Sequence, residues 1–300
     1  MPKNPQHRKA KRKRKMSKNL KKMVVRATTG IVYVALLVGC ILSGPVGCLM
    51  FFATVAAATV WEFSSLMNRH MGTDINRPIV AISAVLLNLV LWSGQWDTTN
   101  ASLWLVLYSF TLFFLIISEL YRKSENPLGN WVYSLASQLY IALPFALVHV
   151  MTIDTTVDYY SLPQYTWVVV LALFVFLWAN DTGAYLAGSA LHKIFPAKLF
   201  PRISPNKSWV GSIGGGLLTL GVSLIFAHLE PRMTTIDWMG MALLVVVAAT
   251  WGDLVESLLK RQLGIKDSGN ILPGHGGLLD RFDSALLSIP ATATYYLLIS

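Results

Sequence analysis

Polar side chains concentrate in three stretches of the second half of a chain whose body is otherwise oily. The first is Trp178-Ala-Asn-Asp181-Thr-Gly-Ala-Tyr-Leu-Ala-Gly188 and the second Ser204-Pro-Asn-Lys207-Ser-Trp-Val-Gly-Ser-Ile-Gly-Gly215; the third runs from Gly252-Asp253 to Asp283. Asp253, Asp280 and Asp283 are hard oxygen donors without His or Cys partners at zinc spacing, which points to Mg²⁺. That ion usually takes one or two carboxylates and leaves positions for substrate phosphate. Lys207, Lys260, Arg261, Lys266 and Arg281 add five cations. Gly274-His275-Gly276-Gly277 adds backbone able to bring N–H groups close to an anion. Carboxylates that hold a metal, beside cations that hold phosphate, are the ingredients of phosphoryl or nucleotidyl transfer. The same residues could instead form an internal ion-pair network that merely neutralises buried charge, and residue type alone leaves both readings open.

The elements that must position these groups are membrane helices. The chain has 300 residues, 54% hydrophobic and only 13% charged, against roughly 25% charged in a soluble domain. This excludes an ordinary soluble enzyme, a disordered chain and a disulfide scaffold. Cys40 and Cys48 read as packing residues. A span needs about 20 mostly apolar residues, and such stretches lie near 27–43, 45–66, 79–94, 101–121, 131–150, 166–188, 208–228, 238–258 and 283–300. They are long and lack alternation, so helices follow rather than barrel strands. The expected fold is all-α, a polytopic integral membrane protein of about nine transmembrane helices. Residues 1–26 form a basic tail expected to be disordered, 27–165 the N-terminal helices, and 166–300 the C-terminal catalytic region.

Charge sets the orientation. The first 26 residues hold twelve Lys and Arg and no acid. Such a run could bind RNA or anionic headgroups, but reads first as an orienting anchor. With this tail inside, 24 of the 25 basic residues fall on one side and only Arg232 on the other. The positive-inside rule then places the N-terminus in the cytoplasm. At 1.5 Å per residue, Asp181 lies ~24 Å along the sixth span and Asp253 ~22 Å along the eighth, both towards the cytoplasmic end. The seventh and ninth spans start there, after Lys207 and beside Asp280. Four pieces thus reach one depth, predicting a polar cavity open to the cytoplasm. Asp253, Glu256, Ser257 and Lys260 share a helix face, expected to line it. The first half promises little: Glu62 and Glu119 are expected to reach the interface, and His149 to make a local hydrogen bond.

Other motifs are weak or absent. Gly211-Ser-Ile-Gly-Gly-Gly216 lacks the strand and Lys of a phosphate loop, and its small residues read as helix packing. There is no GxSxG elbow, HExxH pair or CDP-alcohol transferase pattern. The absence of an internal repeat speaks against a transporter.

The third segment resembles the phosphatidate cytidylyltransferase (CDP-diacylglycerol synthase) family. The resemblance runs without a gap over 27 residues: Ser257-Leu-Leu-Lys260-Arg261, four residues, Lys266-Asp267-Ser-Gly269, then Leu272-Pro273-Gly274-His275-Gly276-Gly277-Leu-Leu-Asp280-Arg281-Phe-Asp283. The DTGAY and SPNKS segments are similar to the family's and stand in the same order, whereas Ser189 and Val210 depart from its usual residues. The resemblance implies the reaction CTP + phosphatidic acid → CDP-diacylglycerol + pyrophosphate. It implies Mg²⁺ on Asp253, Asp280 and Asp283, with a second cation such as K⁺ beside it. Lys260, Arg261, Lys266 and Arg281 would grip the triphosphate, and Asp267 belongs to the same catalytic run. Asp181, Ser204, Lys207, Ser257, Gly276 and Gly277 would contact substrate, with Asp181 near the metal and Lys207 on the lipid phosphate. His275 would donate to a phosphate oxygen or hold the glycine turn. The implied partners are CTP, phosphatidic acid, the bilayer of the inner membrane and a second copy as homodimer, with no nucleic acid. Another CTP-using lipid enzyme, such as a polyprenol kinase-like protein, is a second rival beside the transporter.

Overall fold

The computed structural model describes residues 5–96, 98–154, 164–269, 271 and 276–299. Among them are nine helices long and apolar enough to cross a membrane, the number the hydrophobic runs predict. They lie on α1 (Pro5–Leu42), α2 (Pro45–His70), α3 (Arg77–Gly94), α4 (Thr98–Ser118), a compound span from Pro127 to Thr152, α7 (Val168–Leu191), α8 (Trp209–Leu229), α9 (Thr235–Gln262) and α10 (Leu279–Ile299). The compound span is α5 (Pro127–Ser137), a π-helical turn Gln138–Ala142, α6 (Leu143–Leu147) and a 3₁₀ turn Val148–Thr152. Pro144 explains the irregularity: its ring cannot donate to an i−4 carbonyl, and the Leu143 N–H reaches back to Gln138 O instead. The basic segment, expected as disordered tail, is helical from Pro5 onward.

Start signals match their positions. Asn76 and Asn126 cap α3 and α5. Thr234 and Asp237 form a reciprocal capping box at α9, a device worth about 1 kcal/mol. Between α7 and α8 the chain makes a short antiparallel hairpin, β1 (Lys198–Phe200) and β2 (Ser204–Ser208), with Lys198 opposite Ser208 and Phe200 opposite Ser204.

Contacts between connections sort the helix ends into two sets. At one end Arg122 pairs with Asp74, and Arg261 Nε donates to Ile203 O at 3.4 Å. At the other, Arg232 pairs with Asp154, Tyr165 Oη donates to Ile41 O at 2.6 Å, and Trp92 Nε1 donates to Pro45 O at 3.2 Å. The pattern is the alternation expected of an up-and-down membrane bundle.

Apolar surface gains little by leaving lipid for protein, so packing must come from close fit and aromatic geometry. Phe52 of α2 stacks on Phe174 of α7 at 6.0 Å, and Phe145 of α6 meets Phe282 of α10 edge-on at 5.1 Å. The N-terminal and C-terminal regions therefore share one core. Helices α7 and α8 touch backbone to backbone: a Cβ on Gly183 would lie 2.7 Å from Gly214 O, and one on Gly215 2.6 Å from Asn180 O.

Candidate active site

Where α7 and α8 cross, a cavity of about 480 Å³ opens, bounded also by β2, α9 and the start of α10. Asp181 faces it from α7, Lys207 from β2, Thr250 and Asp253 from α9, and Ser284 from α10. The hairpin brings Lys207 inward while its neighbour Ser208 caps α8, accepting the Gly211 N–H at 3.2 Å. Ser208 and Gly211 both line the cavity, so the positive end of the α8 dipole is turned towards whatever fills it. Lys207 Nζ stands 2.6 Å from Asp253 Oδ2. The other Asp253 oxygen accepts from Ser257 Oγ at 3.2 Å. Asp283 lies within electrostatic range of both Asp253 and Asp181. An isolated charge at membrane depth costs at least ~2.5–3.5 kcal/mol, and this cluster meets that cost by pairing and exposure to the cavity.

A second network adjoins the first on α9 and α10. Lys260 Nζ bridges Glu256 Oε2 at 2.5 Å and Asp280 Oδ1 at 2.9 Å. Asp280 Oδ2 accepts the backbone N–H groups of Ser268 and Gly277 at 2.8 and 2.9 Å. Behind them Glu62, from α2, accepts from Ser268 Oγ, Leu278 N and Leu279 N.

Several expectations change on contact with this geometry. The α9 face splits. Asp253 lines the cavity, whereas the Glu256 side chain is fully buried and turned to Lys260, because an i+3 step rotates a side chain some 60° from its predecessor. Of the three expected ligands, Asp253 faces the cavity, while Asp280 accepts from Lys260 through Oδ1 and from the Ser268 and Gly277 N–H groups through Oδ2. Among the described residues no three His, Cys, Asp or Glu side chains group closely enough to hold a metal ion. Glu62 and Glu119, expected at the interface, are buried in protein, and Glu119 accepts from Arg122 and Asn130, each at 2.8 Å. His149 is buried with Nε2 3.3 Å from Asn88 Oδ1.

The remaining candidates sit nearby in lesser roles. Ser204 opens β2 opposite Phe200, and Arg261 ties α9 to the hairpin through Ile203 O. Lys266 and Asp267 are exposed on the loop after α9, and Arg281 is exposed on the first turn of α10. Gly276 has φ +86°, and a Cβ there would come within 2.5 Å of Asp280 Oδ2. Gly274 and His275 lie outside the described residues. Residue spacing did not disclose Asn180, Ser208, Thr250 or Ser284 as cavity residues, although Ser208 carried a signal as a Ser three places before a Gly at a helix start.

Comparison with known proteins gives a consistent result. A model described as the cytidylyltransferase family matches residues 24–299. A phosphatidate cytidylyltransferase of Staphylococcus aureus (strain COL) is 33% identical over 272 residues, 89% of this chain and 96% of that protein. One from Staphylococcus haemolyticus (strain JCSC1435) is 31% identical over the same length, covering the same shares of each chain. One from Haemophilus influenzae is 37% identical over 142 residues, 46% of this chain and 48% of that protein.

Proposed function

The chain belongs to the cytidylyltransferase family, and from that premise we propose that it transfers the cytidylyl group of CTP to phosphatidic acid, releasing pyrophosphate. It is a nucleotidyltransferase of a multi-pass membrane fold. One observation carries the assignment to this cavity: Asp181, Lys207 and Asp253, from three separate elements, face the same space.

The attacking atom is a phosphate oxygen of phosphatidic acid, already ionised near neutral pH, so no strong general base is required. It meets the α-phosphorus of CTP in line with the departing pyrophosphate. What the protein must supply is position and positive charge. Lys207 and the N–H groups at the start of α8 face the cavity and suit a phosphate. Lys260, Arg261, Lys266 and Arg281 lie on the same side of the bundle and suit the triphosphate and its leaving group.

A divalent cation fits the donor set. Asp181 and Asp253 face one cavity, with Asp283 close by, and Mg²⁺ needs only one or two protein carboxylates beside water and substrate phosphate. When bound it would act as a Lewis acid, offsetting charge on the phosphates. Asp280 joins this set only by exchanging its pair with Lys260. A second cation such as K⁺ belongs to the same reading, as does a cavity open to the cytoplasm of an inner membrane, where CTP is available while the acyl chains stay in the bilayer. Contacts that divide the helix ends into two sets, together with the basic residues on one of them, support that orientation.

The test uses the full-length protein in lipid nanodiscs with CTP labelled at the α-phosphate and, in a parallel reaction, at the γ-phosphate. The expected result is label in a lipid formed from phosphatidic acid, dependent on Mg²⁺ and abolished by EDTA. Transfer of label from the γ-phosphate to lipid, or no lipid label at all, overturns the proposal.

A further inference from the structure

Glu62 belongs to a span expected to hold little chemistry, yet it is the anchor of the C-terminal motif. Its side chain is buried and takes three donors from residues more than 200 positions away. Ser268 Oγ donates at 2.5 Å, Leu278 N at 2.9 Å and Leu279 N at 3.2 Å. The last two are N–H groups at the start of α10 without intrahelical acceptors, so a carboxylate from α2 caps a helix far away in sequence. Room for it is reserved: a Cβ on Gly277 would stand 2.0 Å from Glu62 Oε1, and one on Gly269 2.8 Å from Oε2.

Ser268 carries this anchoring to the site. With its hydroxyl hydrogen given to Glu62, its oxygen accepts the Asp280 N–H at 3.3 Å, and its own N–H binds Asp280 Oδ2 at 2.8 Å. Gly277 N binds the same oxygen, which leaves Oδ1 to Lys260. The direction of the Asp280 carboxylate thus follows from where Glu62 holds Ser268 and the two residues after Gly277, Leu278 and Leu279.

We propose that Glu62 is a positioning residue of the transfer site, acting through Ser268 and the start of α10 to orient Asp280 and, through it, Lys260. This rests on the cytidylyl-transfer reading above. A carboxylate is needed because a carboxamide offers one acceptor oxygen where three donors converge.

The experiment compares wild type, Glu62→Gln, Glu62→Ala and Ser268→Ala as full-length proteins in nanodiscs. It measures kcat and KM for CTP, melting temperature, and hydrogen exchange of backbone amides. Misplacement of a catalytic group by about 1 Å costs ~100-fold, so Glu62→Ala is expected to lose kcat on that scale with KM for CTP changed by less than ~3-fold. Glu62→Gln, keeping one acceptor, should lose ~10-fold on the same reasoning. Exchange should rise at Ser268 and at 277–279 while the other helices keep their protection. The proposal is overturned if Glu62→Ala keeps both constants within twofold of wild type, or if activity is lost together with protection throughout the bundle. Should wild type show no cytidylyl transfer, the catalytic reading fails, yet exchange still decides the contact: a local rise in Glu62→Ala upholds the positioning, and its absence sinks it.

Discussion

Lys207 and Asp253 meet at 2.6 Å across the cavity, one from a β-hairpin and the other from the C-terminal half of a transmembrane helix. Each is the partner that makes the other tolerable at that depth. Binding of an anionic substrate and its cation would exchange this pair for two new ones. Lys207→Ala is therefore expected to lower kcat/KM about 100-fold, or about 2.7 kcal/mol of transition-state stabilisation. Lys207→Arg should recover part of it. Steady-state kinetics with labelled CTP, varying CTP and phosphatidic acid in turn, provides the check.

Lys260 holds two carboxylates at once. Its replacement by Met leaves Glu256 and Asp280 facing each other with no cation, and breaking a buried pair in this way costs about 3–5 kcal/mol. Adding Glu256→Gln should return much of that stability without restoring turnover. Asp280→Asn alone should abolish turnover while the protein stays folded in detergent. Melting and activity measured across the double-mutant cycle separate the two effects.

The crossing of α7 and α8 leaves no space for a methyl group. Gly215→Ala would drive Cβ against the Asn180 carbonyl at 2.6 Å. Overpacking of this kind costs about 1–3 kcal/mol, and because Asn180 and Asp181 line the cavity, activity should fall with stability. Gly221, on the same helix, has nothing within 4 Å of its Cβ position. Gly221→Ala should be neutral or stabilising by up to about 1 kcal/mol through helix propensity. Equal effects at the two positions in thermal unfolding would refute the packing account.

At the opposite end of the bundle, hydrogen bonds and charge from Arg232 hold the Glu230 carboxyl below its usual pKa. The same pairing with Glu230 and Asp154 pushes the Arg232 guanidinium upward. A carboxylate with a depressed folded pKa contributes stability above its unfolded value, about 4.3, and loses that contribution as pH falls through the folded value. Wild type should melt above Arg232→Ala near neutral pH, and the gap should close as the solution is acidified below that range. A gap independent of pH would rule out the ionic origin.

The spans were legible because hydrocarbon thickness dictates a length and the chain obeys it. Asp181, Lys207 and Asp253 could be brought together by counting rise per residue along spans of known direction. Glu62 could not, since its partners are more than 200 residues away and no periodicity records a contact of that kind. The division of labour on α9 was hidden for another reason. Asp253 and Glu256 differ by a rotation of about 60°, and only the placement of α10 decides which of them meets the cavity and which meets Lys260. The β-hairpin escaped notice because three- and five-residue strands are too short to establish an alternating pattern.

Helix α10 comes after every one of its partners in chain order, and it brings Phe282 to the aromatic cluster and Asp280 to Lys260. During synthesis the earlier segments must therefore wait in the bilayer with Glu62, Glu256 and Lys260 incompletely matched. The contacts of Glu62 with Leu278 and Leu279, and of Lys260 with Asp280, form only once α10 has been made. A ribosome that stalled before Leu279 would release a chain carrying uncompensated charge in lipid, a form suited to recognition and removal by membrane proteases.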